Sequence, residues 1–177
     1  MTRFRFLFLV VMGLFLAFTP TASADPMIFT GSTVRVKSLF VGSVKLYKIE
    51  HYMASKPANK SKKDVIEADV SKQFTWTMQR DLPSDKVRKA LQDAFAQNGY
   101  KDGGKIGQFL GAFSGEELKE GTKLTILYDA NTKNVIVTVP GGGKVTVNGV
   151  DFMKGVWSIW FGVIDQPGLG DALISAL

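Results

Sequence analysis

Residues 72–80, KQFTWTMQR, form the clearest β-strand pattern in the chain. Phe74, Trp76 and Met78 alternate there with polar side chains. Successive side chains of a strand point to opposite faces, so one face should pack on a core and the other should meet solvent or a polar cavity. The stretch is therefore expected to be a half-buried strand of an antiparallel sheet.

Two strand-like runs precede this stretch. They are TVRVKSLFV (33–41) and SVKLYKIEHYM (43–53), both rich in β-branched and aromatic residues. Gly42 separates them. This arrangement predicts a hairpin or a bent pair of strands.

Three shorter alternating runs follow in the second half of the chain. They are TKLTILYDA (122–130), NVIVTVP (134–140) and KVTVNG (144–149). Asparagine, lysine and glycine residues between them are typical of hairpin turns. The runs therefore predict a local antiparallel meander.

Apolar stripes at helical spacing account for the rest of the pattern. Ser84 offers a hydroxyl cap for the first helix, which should end where Asn98 and Gly99 follow it. A short last helix is expected over 169–177. The stripes are Val87, Leu91, Ala94 and Phe95; Ile106, Phe109, Leu110 and Phe113; and Phe152, Val156, Ile159 and Trp160. Together these features predict an α+β domain with one antiparallel sheet covered by helices on one face.

Composition excludes several classes of protein. The 177 residues are 45% hydrophobic and include one histidine and no cysteine. This composition is too apolar for a disordered chain. The absence of cysteine and the presence of a single histidine rule out disulfide scaffolds, thiolate chemistry, iron–sulfur ligation and the usual zinc sets. Any metal would have to be held by oxygen ligands alone. We expect no cofactor and no metal site.

The N-terminus has the pattern of a secretory signal peptide. Arg3 and Arg5 precede an apolar run over 6–18, and small residues end at Ala24. The run is shorter than the roughly 20 apolar residues that span a bilayer, although an uncleaved anchor is the alternative. We expect residues 1–24 to be removed and residues 25–177 to form a periplasmic or secreted domain with no stable membrane anchor, by default a monomer.

The charge of the mature chain does not favour nucleic-acid binding. Removing the two N-terminal arginines leaves 20 basic and 16 acidic residues, a net charge of +4. The densest basic cluster is KPANKSKK at 56–63, whose proline, asparagine and serine are typical of a solvated loop. We therefore expect no nucleic-acid partner.

No catalytic constellation is evident. His51 lies inside a predicted strand beside Glu50 and Tyr52, without a nucleophile elbow or a paired base nearby in sequence. What remains is a large apolar and aromatic set with a few isolated polar groups. This combination favours a site for a hydrophobic small molecule.

A series of ordered markers resembles a known family. They are Gly31, Arg35, VKLY (44–47), Tyr52, RDL (80–82), SDKV (84–87), Gly121, NG (148–149) and IWFG (159–162). The order is similar to that of the chalcone isomerase-like superfamily, and more narrowly to its secreted bacterial branch. The resemblance covers nearly all of residues 25–177. It implies an open-faced β-sandwich, in which a curved antiparallel sheet and a layer of helices enclose a cleft for an apolar ligand.

The resemblance does not carry over the catalytic donors of the plant enzymes, which close a flavanone ring. Their arginine corresponds to Arg35, and a threonine twelve residues later corresponds to Tyr47. Their tyrosine, asparagine and late threonine fall on or near Pro83, Ala90 and Phe152, none of which has a hydrogen-bond donor in its side chain. Ring closure needs donors where charge develops, so catalysis is not favoured.

Another branch of the family binds fatty acids, and there an arginine and a tyrosine hold the carboxylate. By this resemblance Arg35 and Tyr47 are the candidate ligand anchors, because a guanidinium makes charge-assisted hydrogen bonds to a carboxylate. The candidate walls of the apolar cleft are Phe74, Trp76, Met78, Phe109 and Phe113. The expected function is non-catalytic binding of a fatty acid or similar amphipathic carboxylate. The alternative is an intramolecular lyase that acts on a chalcone-like phenolic enone through Arg35.

The register of the first hairpin decides whether this anchor can exist. If Arg35 lies opposite Ile49, then Tyr47 lies diagonally across on the same face of the sheet. A slip of one residue would put the two side chains on opposite faces. In that case Arg35 would be an edge-strand surface residue and Tyr47 a core aromatic residue.

Overall fold

The computed structural model describes residues 26–177. The predicted signal peptide and its cleavage after Ala24 lie outside the described residues. In chain order the elements are β1 (Ile28–Ser38), β2 (Ser43–Met53), α1 (Lys62–Glu67), β3 (Lys72–Met78), β4 (Leu82–Pro83), α2 (Ser84–Gln97), α3 (Gly103–Leu110), a 3₁₀ turn (Gly111–Phe113), β5 (Glu117–Leu118), β6 (Lys123–Asp129), β7 (Asn134–Val139), β8 (Gly143–Asn148), α4 (Val150–Phe161) and α5 (Gly168–Leu173).

The six long strands form one antiparallel sheet in the order β1-β2-β3-β6-β7-β8, and β4 pairs only with β5. In β3 every second residue, from Lys72 to Met78, is buried. This alternation confirms the half-buried strand expected from the sequence. The buried face packs against the helices, so the predicted α+β architecture with helices on one face is confirmed.

The centre of the core is aromatic. The ring of Phe74 lies 5.0 Å from that of Trp157 and 4.6 Å from that of Trp160, both on α4. A second aromatic group joins Phe95 and Phe152, whose stacked rings are 5.8 Å apart. The first contacts hold α4 against the sheet, and the second holds α2 against α4. Within residues 26–177, no helix has the length and apolar character needed to cross a bilayer.

Two local expectations about helix ends are wrong. Ser84 is the first residue of α2 rather than its cap, and its buried hydroxyl has no hydrogen-bond partner. The last helix ends at Leu173, short of residue 177. It ends there because the chain turns back onto β1, where the Ala176 amide donates to the Thr30 carbonyl at 2.8 Å.

Candidate functional site

A cleft of about 390 Å³ opens between the β1–β2 end of the sheet and the helices α2 and α4. This volume lies within the range of small-molecule sites. Its apolar lining residues are Leu46, Trp76, Leu82, Val87, Ala90, Leu91, Ala94, Ile159, Trp160, Val163 and Ile164. Its polar lining residues are Arg35, Lys37, Tyr47, Lys86, Asp93, Gln97 and Asp165. The cleft is therefore an apolar trough with a small number of charged groups.

Arg35 and Tyr47 lie directly opposite each other on β1 and β2. Ile49 pairs with Thr33, so the register differs by two residues from the one considered above, in which Arg35 would lie opposite Ile49. Because side chains alternate with a period of two, this offset leaves Arg35 and Tyr47 on one face. Both side chains line the cleft.

An irregularity in the ladder follows this pair. Arg35 pairs with Tyr47, but its neighbour Val36 pairs with Lys45, so Leu46 has no partner on β1. The Leu46 carbonyl instead accepts from the Gln79 amide at 2.9 Å. A bulge of this kind bends a strand and turns side chains toward a new direction. Here it accompanies the entry of Leu46 into the cleft lining.

The Arg35 guanidinium is held at the cleft by three oxygen atoms. One terminal nitrogen donates to the Val36 carbonyl at 2.8 Å and to Gln166 Oε1 at 3.3 Å. The other forms an ion pair with the Asp165 carboxylate. The Arg35 side chain is 16% exposed, whereas that of Asp165 is 66% exposed. A largely exposed carboxylate of the chain itself therefore contacts the predicted carboxylate anchor.

Tyr47 is held by aromatic neighbours. Its ring stacks on Trp76 at 4.1 Å and 7°, and its hydroxyl accepts from Trp160 Nε1 at 3.1 Å. Burial raises the pKa of the phenol, and the Trp160 hydrogen bond and the Arg35 charge only partly oppose that effect. The phenol is therefore neutral and keeps its hydrogen. Among the described residues that hydrogen has no hydrogen-bond acceptor, so it can be donated to a ligand oxygen.

Of the five predicted wall residues, Trp76 lines the cleft. Phe74, Met78, Phe109 and Phe113 do not line it but are buried in the core. Phe74 is enclosed by the aromatic rings of α4, and Phe109 packs 6.0 Å from Phe113 beneath the sheet. The prediction that these four form walls is corrected: even Met78, which pairs with the cleft residue Tyr47, is buried in the core.

Several lining residues were not identified from the sequence as site residues. Ala90 and Ala94 on α2 leave space beside the sheet because their side chains are single methyl groups. The apolar stripe of α2 was a signal for this face, but it did not distinguish cleft from core. Asp165 carried no signal, since it is 130 residues from Arg35 in sequence.

The structure also places the positions that correspond to the catalytic donors of the plant enzymes. Ala90 lines the cleft with a methyl group. Pro83 is exposed, and Phe152 is fully buried in the aromatic core. The cleft therefore contains Arg35 and Tyr47 without side-chain donors at these three positions.

Comparison with known proteins agrees with this architecture. No curated protein matches the chain. Among solved structures, the fold is similar to the crystal structure of a fatty-acid binding protein from Arabidopsis thaliana, with a TM-score of 0.67, 16% identity and coverage of 88% of each chain. At that identity the similarity concerns the fold. Residues 10–168 match the family model described as chalcone isomerase-like. Since this match spans most of the chain, the protein belongs to the chalcone isomerase-like family.

Proposed function

We propose that the protein binds a fatty acid or a similar amphipathic carboxylate in the cleft and does not catalyse a reaction. The observation that carries the proposal is the direct pairing of Arg35 and Tyr47 on one face, at one apolar cleft. The family and the fold shared with a fatty-acid binding protein support it.

The two parts of such a ligand match two parts of the cleft. The acyl chain contacts the apolar walls from α2 and α4, and each buried methylene contributes roughly 0.8 kcal/mol. The carboxylate accepts hydrogen bonds from the Arg35 guanidinium and from the unused hydrogen of the Tyr47 phenol. The tail thus supplies most of the affinity, and the two anchors set the orientation.

Removing the guanidinium separates these contributions. Arg35→Ala should weaken binding of palmitate roughly 10- to 100-fold, because hydrogen bonds to charged groups are the stronger class. Binding of hexadecanol should hardly change. Titration calorimetry or displacement of a fluorescent fatty acid measures both affinities.

Lys144→Ala is the matched control, since Lys144 is exposed on β8 at the far edge of the sheet and its loss also removes one positive charge. This variant should bind both ligands as the unchanged protein does. Equal losses for the acid and the alcohol in Arg35→Ala would contradict the proposed anchor.

The alternative activity has a direct test. An intramolecular lyase acting through Arg35 would convert a chalcone to a flavanone, which absorbance spectroscopy detects. We expect no conversion, because the three positions that correspond to donors in the plant enzymes are Pro83, Ala90 and Phe152. Flavanone formation that Arg35→Ala abolishes would overturn the non-catalytic proposal.

We also propose that the protein acts after export, in the periplasm or outside the cell. The N-terminal basic residues, apolar run and small residues before Asp25 support this. The mass of the protein recovered from the exported fraction should correspond to a chain that begins at Asp25. Recovery of the full-length chain in the cytoplasm would contradict export.

A further inference from the structure

The tip of the β1–β2 hairpin exposes three consecutive apolar side chains. Leu39 is 50% exposed, Phe40 105% and Val41 86%. The turn is closed by a 2.9 Å hydrogen bond from the Leu39 amide to the Gly42 carbonyl, so the tip projects from the end of two long strands. Single exposed apolar residues are common, but a contiguous exposed run marks an interaction site or a liability.

The strands that carry this tip are positively charged. Residues 33–48 include Arg35, Lys37, Lys45 and Lys48 and no acidic residue. Arg35 pairs with Asp165 and Lys48 with Glu50. Within the described part of the chain, Lys37 and Lys45 form no ion pair, and one stands on each strand beside the tip.

The tip is also close to the cleft. Lys37 lines the cleft and is only two residues from Leu39, a distance of about 7 Å along an extended strand. Val163, which is 58% exposed, lines the same cleft. The apolar tip and the unpaired lysines are therefore next to the cleft, on the same hairpin.

We propose that the tip, residues 39–41, docks the protein on an anionic lipid bilayer. Phe40 and Val41 enter the interface between headgroups and acyl chains, and Lys37 and Lys45 contact anionic headgroups. Three side chains are too few for the roughly 1,200 Å² of a stable protein interface, whereas insertion into lipid needs only the projecting side chains. The docking proposal depends only on the hairpin. The further point, that docking brings the cleft to a source of ligand, rests on the proposed function.

A tryptophan reporter at the tip tests the depth of insertion. Phe40→Trp is mixed with vesicles of equal parts phosphatidylglycerol and phosphatidylcholine, with and without brominated acyl chains, without added fatty acid. The emission of the three native tryptophans, measured on the unchanged protein, is subtracted. The remaining emission, from Trp at position 40, should shift to shorter wavelength on vesicle binding and be quenched by the brominated acyl chains. Thr146→Trp, exposed on the opposite edge strand β8, should show neither change. Equal responses from the two reporters would overturn the proposal.

Co-sedimentation with the same vesicles tests the two kinds of contact. The double variant Phe40→Ser/Val41→Ser should lower partitioning at least about tenfold. Lys45→Gln should weaken binding to vesicles with phosphatidylglycerol but not to pure phosphatidylcholine, and high salt should have the same effect. Partitioning of the double variant equal to that of the unchanged protein would overturn the proposal. It would also be overturned if the unchanged protein did not bind vesicles and the tip mediated only self-association.

Fatty-acid affinity in solution distinguishes this inference from the proposed function. None of the tip residues lines the cleft, so the double variant should bind palmitate as tightly as the unchanged protein. If vesicle docking depends on the tip but palmitate does not bind, the docking stands and the proposed function fails. If palmitate binds but the protein does not dock on vesicles through the tip, the proposed function stands and the docking proposal fails.

Discussion

His51 shows how one buried polar residue connects distant parts of the chain. Its Nε2 accepts from Trp157 Nε1 at 2.9 Å, so the ring hydrogen is on Nδ1, which donates to Thr30 Oγ1 at 2.6 Å. The Thr30 hydroxyl then donates to the Leu173 carbonyl at 2.8 Å. The imidazole is fully buried, and desolvation, with a smaller contribution from the Lys72 charge, lowers its pKa to about 3. The residue is therefore a buried structural histidine rather than an exposed one.

This arrangement predicts a loss of stability in mild acid. The unfolded chain protonates His51 below about pH 6.5, whereas the folded protein resists protonation until about pH 3. Because the unfolded state binds more protons in this window, the free energy of unfolding should fall as the pH is lowered, by roughly 1.4 kcal/mol per unit well below pH 6.5. Urea unfolding at a series of pH values measures it.

His51→Gln is the control, since an amide oxygen can still accept from Trp157 and the variant has no histidine. The difference in stability between the unchanged protein and this variant should shrink with falling pH from 6.5 toward 3. A difference that stays constant with pH would show that His51 does not contribute this dependence.

The packing of α5 on β1 shows why one small residue is required between two elements. A Cβ atom on Gly31 would lie 2.6 Å from the carbonyl carbon of Leu173 and closer still to the Ala172 oxygen. Real Cβ atoms do not approach backbone this closely. Gly31 therefore lets the last helix lie directly on the edge strand.

Gly31→Ala should destabilise the protein by about 1–3 kcal/mol, because the helix or the strand must move to accept the methyl group. Gly107→Ala is the matched control: its Cβ would have no atom within 4 Å, and alanine is favoured in a helix interior by roughly 0.5–1 kcal/mol. Thermal and urea unfolding compare the two. Equal changes in the free energy of unfolding for the two variants would contradict the idea that α5 leaves no space for a side chain at position 31.

The segment between α4 and α5 joins the edge strand to the cleft. Gln166 Oε1 accepts from the Val36 amide and its Nε2 donates to the Val34 carbonyl, both at 3.0 Å. The side chain thus occupies part of the hydrogen-bonding edge that β1 would otherwise expose. The same segment places the Asp165 carboxylate on Arg35, the group that the proposed ligand also uses.

Asp165→Asn should therefore increase the affinity for palmitate about threefold or more, because it removes a competing negative charge beside Arg35. Affinity for hexadecanol should stay the same. Asp171 on α5 has a similarly exposed carboxylate that pairs with Lys62 on α1, and Asp171→Asn should alter neither affinity. Weaker palmitate binding by Asp165→Asn would instead make Asp165 a support for the Arg35 side chain.

At the level of the whole molecule, one antiparallel sheet is covered by helices on a single face, and the cleft lies between the β1–β2 end of the sheet and the helices α2 and α4. Phe74 and Trp76 illustrate the limit of prediction from sequence. They are two residues apart on the same buried face of β3, yet Trp76 lines the cleft and Phe74 does not. The alternation of β3 cannot distinguish them, because it reports which face is apolar and not which helix covers each position.

The six long strands, the helices from α2 to α5 and the α+β class could be predicted because periods of two and 3.6 depend only on residues close in sequence. The short elements α1, β4 and β5 were not predicted, and α1 begins inside the lysine-rich stretch expected to be a loop. The family, and with it Arg35 and Tyr47 as candidate ligand anchors, could be predicted from short sequence markers that follow one another in a fixed order. Tertiary structure decided the register that places these two side chains side by side on one face of the sheet. It also decided the contact between the Asp165 carboxylate and the Arg35 guanidinium. The physical reason is that a ladder bulge and a contact across 130 residues depend on how the elements pack, which no local period encodes.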